Sequence, residues 1–388
     1  MLKKEQIEQY IKELRVSNIK FDSQLGDEVF KNTKEVNPVL QKIKVLVFII
    51  LSFIDFIILK SALLFPKFRN KKIVYTTPRF TTITNDVVED RILKPLFTDN
   101  ILFINHSLEN RIWRINGQKV YNIGGLVKVL SFFQKESTLI MRNFYAYQKV
   151  NKWLLNRLSG KEIYFILYYD LNSLSIILSD YRNRLKLIEV QHGSMINYFP
   201  YLKKAPLKII DVFYVKNQAT IDFLKENVCK GFDCEYKLLP YPKSKGKHTQ
   251  GVHVLYASTV EFEGVHPVFL DYLKTTNKDN LNIYIRLHPR EKHKKKHFES
   301  QLKGVNANIS FDESKNWLAS NQIKNLIVVS PWSSVIEDAA DNGYKTIILE
   351  EFGKERFGYL IDEENVIFAA DNYEFIKKIN LLIEQDKL

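Results

Sequence analysis

Cysteine is scarce in this chain, with Cys229 and Cys234 the only two among 388 residues. Two cysteines allow at most one intramolecular disulfide, which excludes the small secreted folds that depend on several disulfides for stability. Neither cysteine has Cys or His partners at zinc-finger spacing, so a structural zinc module is excluded as well. Sparse thiols are typical of a reducing cytoplasm, and a local Cys229–Cys234 disulfide is the minor alternative.

Glycine-rich phosphate loops are also missing. The 14 glycines form neither GxGxxG nor GxxxxGK[ST], so the fingerprints of dinucleotide and P-loop binding are absent. No DxD motif is present, and His253 and His266 do not complete a metal set with the cysteines. We therefore expect neither a cofactor nor a metal ion.

Long apolar runs are few, and the most apolar piece is KVLVFIILSFIDFIILK at residues 44–60. Its apolar core is shorter than the roughly 20 residues of a membrane span, it contains Asp55, and lysines flank it. This pattern favours an interfacial helix on the anionic inner leaflet over a buried helix or a transmembrane helix. The segment starts too late for a signal peptide. We expect a cytoplasmic protein, peripherally associated with the inner membrane.

The charge is moderately basic, with 57 Lys and Arg against 44 Asp and Glu, a net charge of +13. Such an excess suits nucleic acid, an anionic membrane surface or phosphorylated substrates. Outside KHKKKH at 292–297 the charges are scattered, and no RNP-like or helix-turn-helix pattern appears. We therefore expect no nucleic-acid partner.

The organisation of the chain is that of an α/β protein with two domains. Short apolar runs alternate with helical patterns after residue 70, which indicates βαβ units and parallel sheets. We predict a helical extension over 1–70, a first Rossmann-like domain over 71–243 and a second Rossmann-like domain over 252–388, with a polar linker at 241–251. The predicted strands are 72–77, 100–104, 163–169, 186–190, 210–215, 252–257, 282–287, 308–311, 324–329, 345–349 and 365–368. The predicted helices are 124–134, 138–158, 171–182, 217–227, 265–275, 293–303, 313–320, 333–342 and 372–386.

Polar residues at strand ends of the first domain indicate chemistry there, because α/β sheets bind ligands at the carboxyl ends of strands. The strand that ends at Val190 is followed by Gln191-His192-Gly193. His192 is the side chain here that exchanges a proton near neutral pH, which makes it the leading candidate base. Glu189 and Asp170 are the fallback bases, and a structural histidine in a turn is the alternative for His192.

Two further strand ends in the second domain carry cationic or hydroxyl groups. The stretch RLHPRE places Arg286, His288 and Arg290 at the end of one strand, and arginine suits phosphate because its planar fork binds two oxygens. Ser258 lies at the end of the domain's first strand.

The stretch SPWSSVIED follows a third strand of the second domain and opens a helix. Ser333 and Ser334 stand where hydroxyls and free amides bind an anion, and simple helix capping is the alternative. Glu337 falls in the first turn of this helix.

Together these residues resemble a family, the GT-B glycosyltransferases. The "HP" of His288-Pro289 and the serine pair 333–334 are similar to elements of bacterial transferases that use CMP-linked sugars, the sialyl- and Kdo-type enzymes, and of CDP-glycerol glycerophosphotransferases. The resemblance implies that His288 and the serines hold the donor's phosphate, that His192 is the counterpart of a proposed base, and that Glu337 stands where other GT-B enzymes bind ribose. It covers roughly residues 70–388.

The sequence thus predicts a metal-independent glycosyltransferase that moves a sugar from a nucleotide-activated donor, with cytidine favoured, to a growing bacterial surface glycan such as capsule or lipopolysaccharide. The acceptor would be a glycan or a lipid-linked glycan. The alternatives are a CDP-glycerol-type polyol-phosphate transferase, a sugar-nucleotide epimerase and a non-catalytic protein of the same fold that binds nucleotides or glycans.

Overall fold

The structure of the protein is a computed structural model. It describes residues 3–14, 38–65, 72–76, 101–107, 114–115, 118–136, 138–158, 162–191, 193–239, 246–260, 264–275, 281–314, 317–320 and 323–385. The chain divides into two compact units. Unit 1 comprises Met1–His192 and Phe199–Pro240, and unit 2 comprises Gly193–Tyr198 and Tyr241–Leu388. Within the predicted linker, residues 241–245 lie outside the described residues.

Unit 1 is built on a sheet whose described strands are β1 (Lys72–Thr76), β2 (Ile101–Asn105), β3 (Arg114–Ile115), β4 (Gln118–Asn122), β5 (Glu162–Phe165), β6 (Lys186–Val190), β7 (Val212–Val215) and β8 (Glu235–Leu238). Their order across the sheet is β3-β4-β2-β1-β5-β6-β7-β8. All pairs are parallel except β3 with β4. The strands wind outward from β1 in both directions, which is the Rossmann order with its reversal between β1 and β5.

The described helices of unit 1 are α1 (residues 4–14), α2 (Pro38–Leu64), α3 (Gly124–Phe132), α4 (Leu139–Leu155), α5 (Leu171–Ile177), α6 (Phe199–Leu202) and α7 (Gln218–Glu226). Side chains cap three of these helices at the amino end. Thr138 accepts from the Met141 amide on α4, Asp170 begins α5, and Asn217 begins α7. Such caps satisfy amides that have no partner within the helix, which fixes where each helix starts.

Unit 2 repeats the same plan with described strands β9 (Val252–Ala257), β10 (Leu281–Arg286), β11 (Asn308–Phe311), β12 (Leu326–Ser330), β13 (Thr346–Ile348) and β14 (Val366–Phe368). Their order is β11-β10-β9-β12-β13-β14, with every pair parallel. The strand order reverses between β9 and β12. The described helices are α8 (Pro267–Thr275), α9 (Lys295–Gln301), α10 (Trp317–Ser320), α11 (Val335–Ala340), α12 (Glu351–Phe357) and α13 (Asn372–Gln385).

Burial explains why these segments form parallel strands. Every residue of β2 and β12 is buried, as expected for strands that are covered on both faces and therefore read as continuous apolar runs. The two sheets confirm the predicted fold class of two Rossmann-like parallel-sheet domains in tandem. β4, β8 and α12 were not among the predicted elements, and the helix predicted over 171–182 ends at Ile177.

The amino-terminal region is helical in its described parts, as α1 and α2. No helix in the described part of the chain combines the length and hydropathy that a membrane span requires. On α2, Ser52 and Asp55 are buried together with Leu59 and Leu63, whereas Phe53 is 64% exposed and Ile50 is 52% exposed.

Candidate functional site

The carboxyl edge of the unit 2 sheet brings together three of the predicted strand ends. β10, β9 and β12 are neighbours in that order. The Ser330 hydroxyl donates to the Ala257 carbonyl at 2.8 Å, which joins the end of β12 to the end of β9. Because the strand order reverses between β9 and β12, this edge is the topological switch point at which open α/β sheets bind ligands.

The chain turns at Leu287 and His288, directly after β10, and Ser258 holds this His288 turn in place by hydrogen bonds. The His288 amide donates to Ser258 Oγ at 2.8 Å, and that hydroxyl donates in turn to Glu291 Oε2 at 2.6 Å. Pro289–Lys294 form a 3-10 helix that brings the buried Glu291 back beneath the turn. Ser258 is itself buried, so we assign it to fixing the shape of this turn rather than to direct ligand contact.

Of the two arginines predicted at this edge, Arg286 has a structural role. Arg286 Nη1 forms an ion pair with Asp312 Oδ2 at 2.7 Å and donates to the Ser314 carbonyl at 3.0 Å. These bonds tie the end of β10 to the loop after β11, so the Arg286 charge is already matched by a carboxylate. The side chain of Arg290 lies outside the described residues.

The Ser333–Ser334 turn is anchored to the same switch point. The Ser333 amide donates to Ser330 Oγ at 3.1 Å, and the Val335 amide donates to Ser333 Oγ at 3.4 Å. Ser334 occupies the N-cap position of α11, but its side chain makes no cap hydrogen bond. Ser333 therefore shapes the turn, whereas the Ser334 hydroxyl does not cap the helix.

Glu337 lies one turn into α11. Its Oε1 accepts a hydrogen bond from the Tyr359 hydroxyl at 2.9 Å, and the residue is fully buried. The predicted contact of Glu337 with a ribose therefore stays a prediction, and it requires the carboxylate to be shared with Tyr359 or released from it.

His266 and Glu350, two polar residues at this edge, were not among the predicted site residues. His266 Nε2 lies 2.8 Å from Glu350 Oε1, so the loops after β9 and β13 are joined by a His–Glu pair. Burial lowers the pKa of His266, and the bond to Glu350 opposes that shift. The signal was available, because His266-Pro267 repeats the "HP" dipeptide. Thr259 Oγ1 is buried and has no hydrogen-bond partner among the described residues.

In unit 1 the leading candidate base, His192, lies outside the described residues, and its role stays a prediction. Gln191 before it is buried, and its side-chain oxygen accepts from the Lys216 amide at 2.7 Å. Gln191 therefore joins the ends of β6 and β7.

Glu189 belongs to the core of unit 1 and not to its ligand-facing edge. Its carboxyl is fully buried, accepts a hydrogen bond from the Tyr201 hydroxyl, and accepts another from the Tyr168 amide at 3.4 Å. Burial raises the pKa of Glu189 to about 8, and the two hydrogen bonds offset only part of that rise. Because the carboxyl is enclosed in the core, an acceptor hydroxyl cannot reach it, so the structure does not support Glu189 as a fallback base.

Asp170, the other fallback base, lies at the carboxyl edge of the unit 1 sheet beside a histidine. Its Oδ1 caps α5 by accepting from the Asn172 amide at 2.8 Å and lies 3.6 Å from His106 Nδ1. His106 follows β2 directly and was not among the predicted site residues. A histidine two residues beyond the predicted strand 100–104 was the available signal.

A metal site finds no support in the described part of the chain, which contains no group of three or more His, Cys, Asp or Glu residues that could hold an ion. The two cysteines are free thiols in this structure, and both are buried.

No protein-family model matches the chain, and no curated protein matches it in sequence. Among solved structures, it is similar to sucrose-phosphate synthase from Thermosynechococcus elongatus, with 12% identity and a TM-score of 0.47 over 82% of this chain and 91% of that one. It is similar to MurG from Acinetobacter baumannii, with 11% identity and a TM-score of 0.45 over 81% of this chain and 92% of that one. UDP-GlcNAc 2-epimerase from Neisseria meningitidis, bound to UDP-GlcNAc, gives 11% identity and a TM-score of 0.45 over 81% and 91%. These similarities are too remote to carry an argument, and the fold rests on the strand order itself.

Proposed function

We propose that the protein is a GT-B-type glycosyltransferase that moves a sugar from a nucleotide-activated donor to a growing bacterial cell-surface glycan. One observation carries the proposal. The His288 turn and the Ser333–Ser334 turn are each tied by a serine hydroxyl to the end of β9, so both flank the switch point of unit 2. These are the two elements that the sequence resemblance assigns to the phosphate of the donor.

The donor's phosphate meets neutral and hydroxyl groups at this edge. Ser334 Oγ, left out of the helix cap, is a donor that a phosphate oxygen would satisfy. His288 adds a group that is cationic when protonated. Hydrogen bonds of this kind stabilise the negative charge that grows on the departing nucleotide, which is the work that a divalent metal would otherwise do. We propose metal-independent transfer, with a cytidine nucleotide as the favoured donor.

The acceptor, a glycan or lipid-linked glycan, belongs on unit 1 in this proposal. Asp170 and His192 are the predicted bases at the carboxyl edge of that sheet. The acceptor hydroxyl loses its proton there as its oxygen bonds to the sugar's anomeric carbon, and the nucleotide leaves with the electron pair of the broken bond.

We also propose that α2 holds the protein at the cytoplasmic face of the inner membrane. Its exposed residues include Ile50, Phe53 and Ile57, spaced to form one apolar stripe, and Lys60 is exposed beside them. An apolar stripe with nearby basic residues is the composition of helices that lie in the interface of an anionic bilayer.

The functional test measures nucleotide binding and turnover on the full chain. CMP-, CDP-, UDP- and GDP-linked sugars are offered in EDTA with simple sugar acceptors, and nucleotide release is followed. We expect release from at least one donor, with a cytidine donor favoured. His288→Ala should weaken nucleotide binding at least tenfold, a loss of about 1.4 kcal/mol.

His253→Gln is the matched control, because His253 lies at the opposite end of β9, hydrogen-bonded to Tyr284 at 3.2 Å. Nucleotide binding without release from any donor would indicate a non-catalytic protein of this fold. Absence of both would refute the proposal.

The membrane proposal is tested by sedimentation with vesicles of phosphatidylglycerol and phosphatidylethanolamine. A double variant, Phe53→Glu with Ile57→Glu, should release the protein from the vesicles, since it puts charge on the exposed stripe without touching the buried face. Leu381→Glu, at an exposed leucine of α13, is the control and should bind as the wild type does. Equal vesicle binding by the double variant and the wild type would count against the membrane role.

A further inference from the structure

A histidine and an aspartate flank the switch point of the unit 1 sheet. His106 follows β2 and Asp170 follows β5, and β1 lies between those two strands. The reversal of strand order in this sheet falls between β1 and β5, which is where an open α/β sheet leaves its ligand crevice. The two side chains meet across this edge, with His106 Nδ1 at 3.6 Å from Asp170 Oδ1.

The imidazole of His106 is fixed in place by its surroundings. The backbone carbonyl of His106 accepts a hydrogen bond from the Tyr147 hydroxyl at 2.6 Å. The rings of Tyr75 and Tyr147 pack edge-on against it, with centroids 6.0 and 6.3 Å away. Asn105, the last residue of β2, is held in turn by Asn122 at 2.7 Å. A side chain bounded in this way is preorganised and does not have to be ordered when a ligand arrives.

Burial and a neighbouring carboxylate act on the pKa of this imidazole in opposite directions. Burial lowers the pKa of His106, and the Asp170 carboxylate opposes that shift. Among the described residues, the other titratable groups packed against it are Tyr75 and Tyr147, and the Tyr75 hydroxyl donates to Asn151 Oδ1 at 2.7 Å. A proton on Nδ1 would face Asp170 Oδ1 at this 3.6 Å separation and would leave the Nε2 lone pair to accept a proton, as in a histidine general base oriented by a carboxylate. The side chain keeps 7% of its surface exposed, and a base needs only one ring nitrogen to reach its ligand.

We propose that His106 is the general base of unit 1 and that Asp170 is its positioning residue. The inference rests on the glycosyl transfer proposed above and assigns the proton-accepting step of that reaction. The acceptor's O–H proton passes to His106 Nε2 while its oxygen bonds to the anomeric carbon. The bond from that carbon to the nucleotide's phosphate oxygen breaks, and the phosphate keeps the electron pair. Transfer of this kind inverts the anomeric configuration.

The test compares His106→Gln, Asp170→Asn and His192→Ala in the full chain. The probes are the four nucleotide-sugar classes, with nucleotide release to water or to simple sugars as the readout and calorimetry of CDP as the binding control. His106→Gln should lower the release rate by about 10²–10⁴-fold and leave CDP affinity within about twofold. Asp170→Asn keeps the helix cap, since Asn caps as well as Asp, and removes only the charge.

The pH profile separates a positioning role from a purely structural one. Because Asp170 raises the pKa of His106, its loss should move the acid limb of the rate profile to lower pH. His253→Gln, a buried histidine in unit 2, is the control that should keep the wild-type rate. His106→Asn, with a melting temperature near that of the wild type, guards against misfolding as the cause of a loss.

Several results would overturn the inference. The first is a His106→Gln rate within about threefold of the wild type. The second is loss in His192→Ala alone, and the third is loss in Asp170→Asn alone, which would make the carboxylate itself the base. A wild-type chain that neither binds CDP nor releases nucleotide would refute the proposed function and this inference together. CDP binding with normal release by His106→Gln would refute the inference only.

Discussion

Replacing Glu189 with glutamine should stabilise unit 1 and flatten its pH dependence. The buried carboxyl has a pKa raised to about 8 from an ordinary 4.5, so the folded state binds a proton that the unfolded state releases. The stability contributed by this group is fully present below pH 4.5 and is lost as the pH rises toward 8. At 1.36 kcal/mol per pKa unit, the loss at pH 7 is about 3 kcal/mol. Glutamine keeps the acceptor for Tyr201 and the Tyr168 amide but has nothing to ionise.

The assay is scanning calorimetry of the wild type and Glu189→Gln at pH 5, 6, 7 and 8. At pH 7 the variant should melt about 6–12 °C higher, given about 2–4 °C per kcal/mol for a unit of this size, and the two proteins should converge toward pH 5. Glu162→Gln is the matched control, because Glu162 lies on the neighbouring strand β5 in a partly exposed ion pair with Lys72. A pH slope that survives in Glu189→Gln, or a variant less stable than the wild type at pH 7, would refute the reasoning.

The remaining predictions concern packing. Gly353→Ala should lower the melting temperature by several degrees, because its Cβ would lie 2.0 Å from the Pro331 carbonyl oxygen. Gly358→Ala, with nothing within 4 Å of its Cβ, should leave it nearly unchanged, and equal effects would contradict the packing. Asn151→Ala should cost about 1–3 kcal/mol in urea unfolding, because it removes the partner of the buried Tyr75 hydroxyl. A cost below about 0.5 kcal/mol would argue against this buried hydrogen bond.

Much of the fold could be predicted from the sequence, because fully buried parallel strands are continuous apolar runs. The predicted bounds of β6, β9 and β11 match those of the structure. β8 was missed because it is an edge strand, EYKL, whose exposed positions give no apolar run. The predicted helix over 171–182 was too long because the chain leaves the α-helix at Leu178 and continues through turns to a short 3-10 helix at Arg182–Arg184, which helical periodicity does not distinguish.

The position of the site stays a prediction, and the structure bears on the roles of its residues. Strand ends indicate the carboxyl edge of each sheet, since topology places ligands there in open α/β sheets. Roles depend on the partner of each side chain, and partners come from distant parts of the chain. Arg286 forms an ion pair with Asp312, and Ser258 donates a hydrogen bond to Glu291. Glu189 accepts a hydrogen bond from Tyr201. In each pair the two residues are well separated in sequence. The same long-range pairing brings Asp170 to His106.

Hydrogen–deuterium exchange of the full chain with and without saturating CDP locates the nucleotide on the protein. We expect slower exchange in peptides that cover residues 257–260, 286–291 and 330–336, the ends of β9, β10 and β12, with UDP and GDP giving weaker protection of the same peptides. Protection confined to other parts of the chain, or no change with any of the three nucleotides, would contradict the assignment of the unit 2 switch point as the donor site.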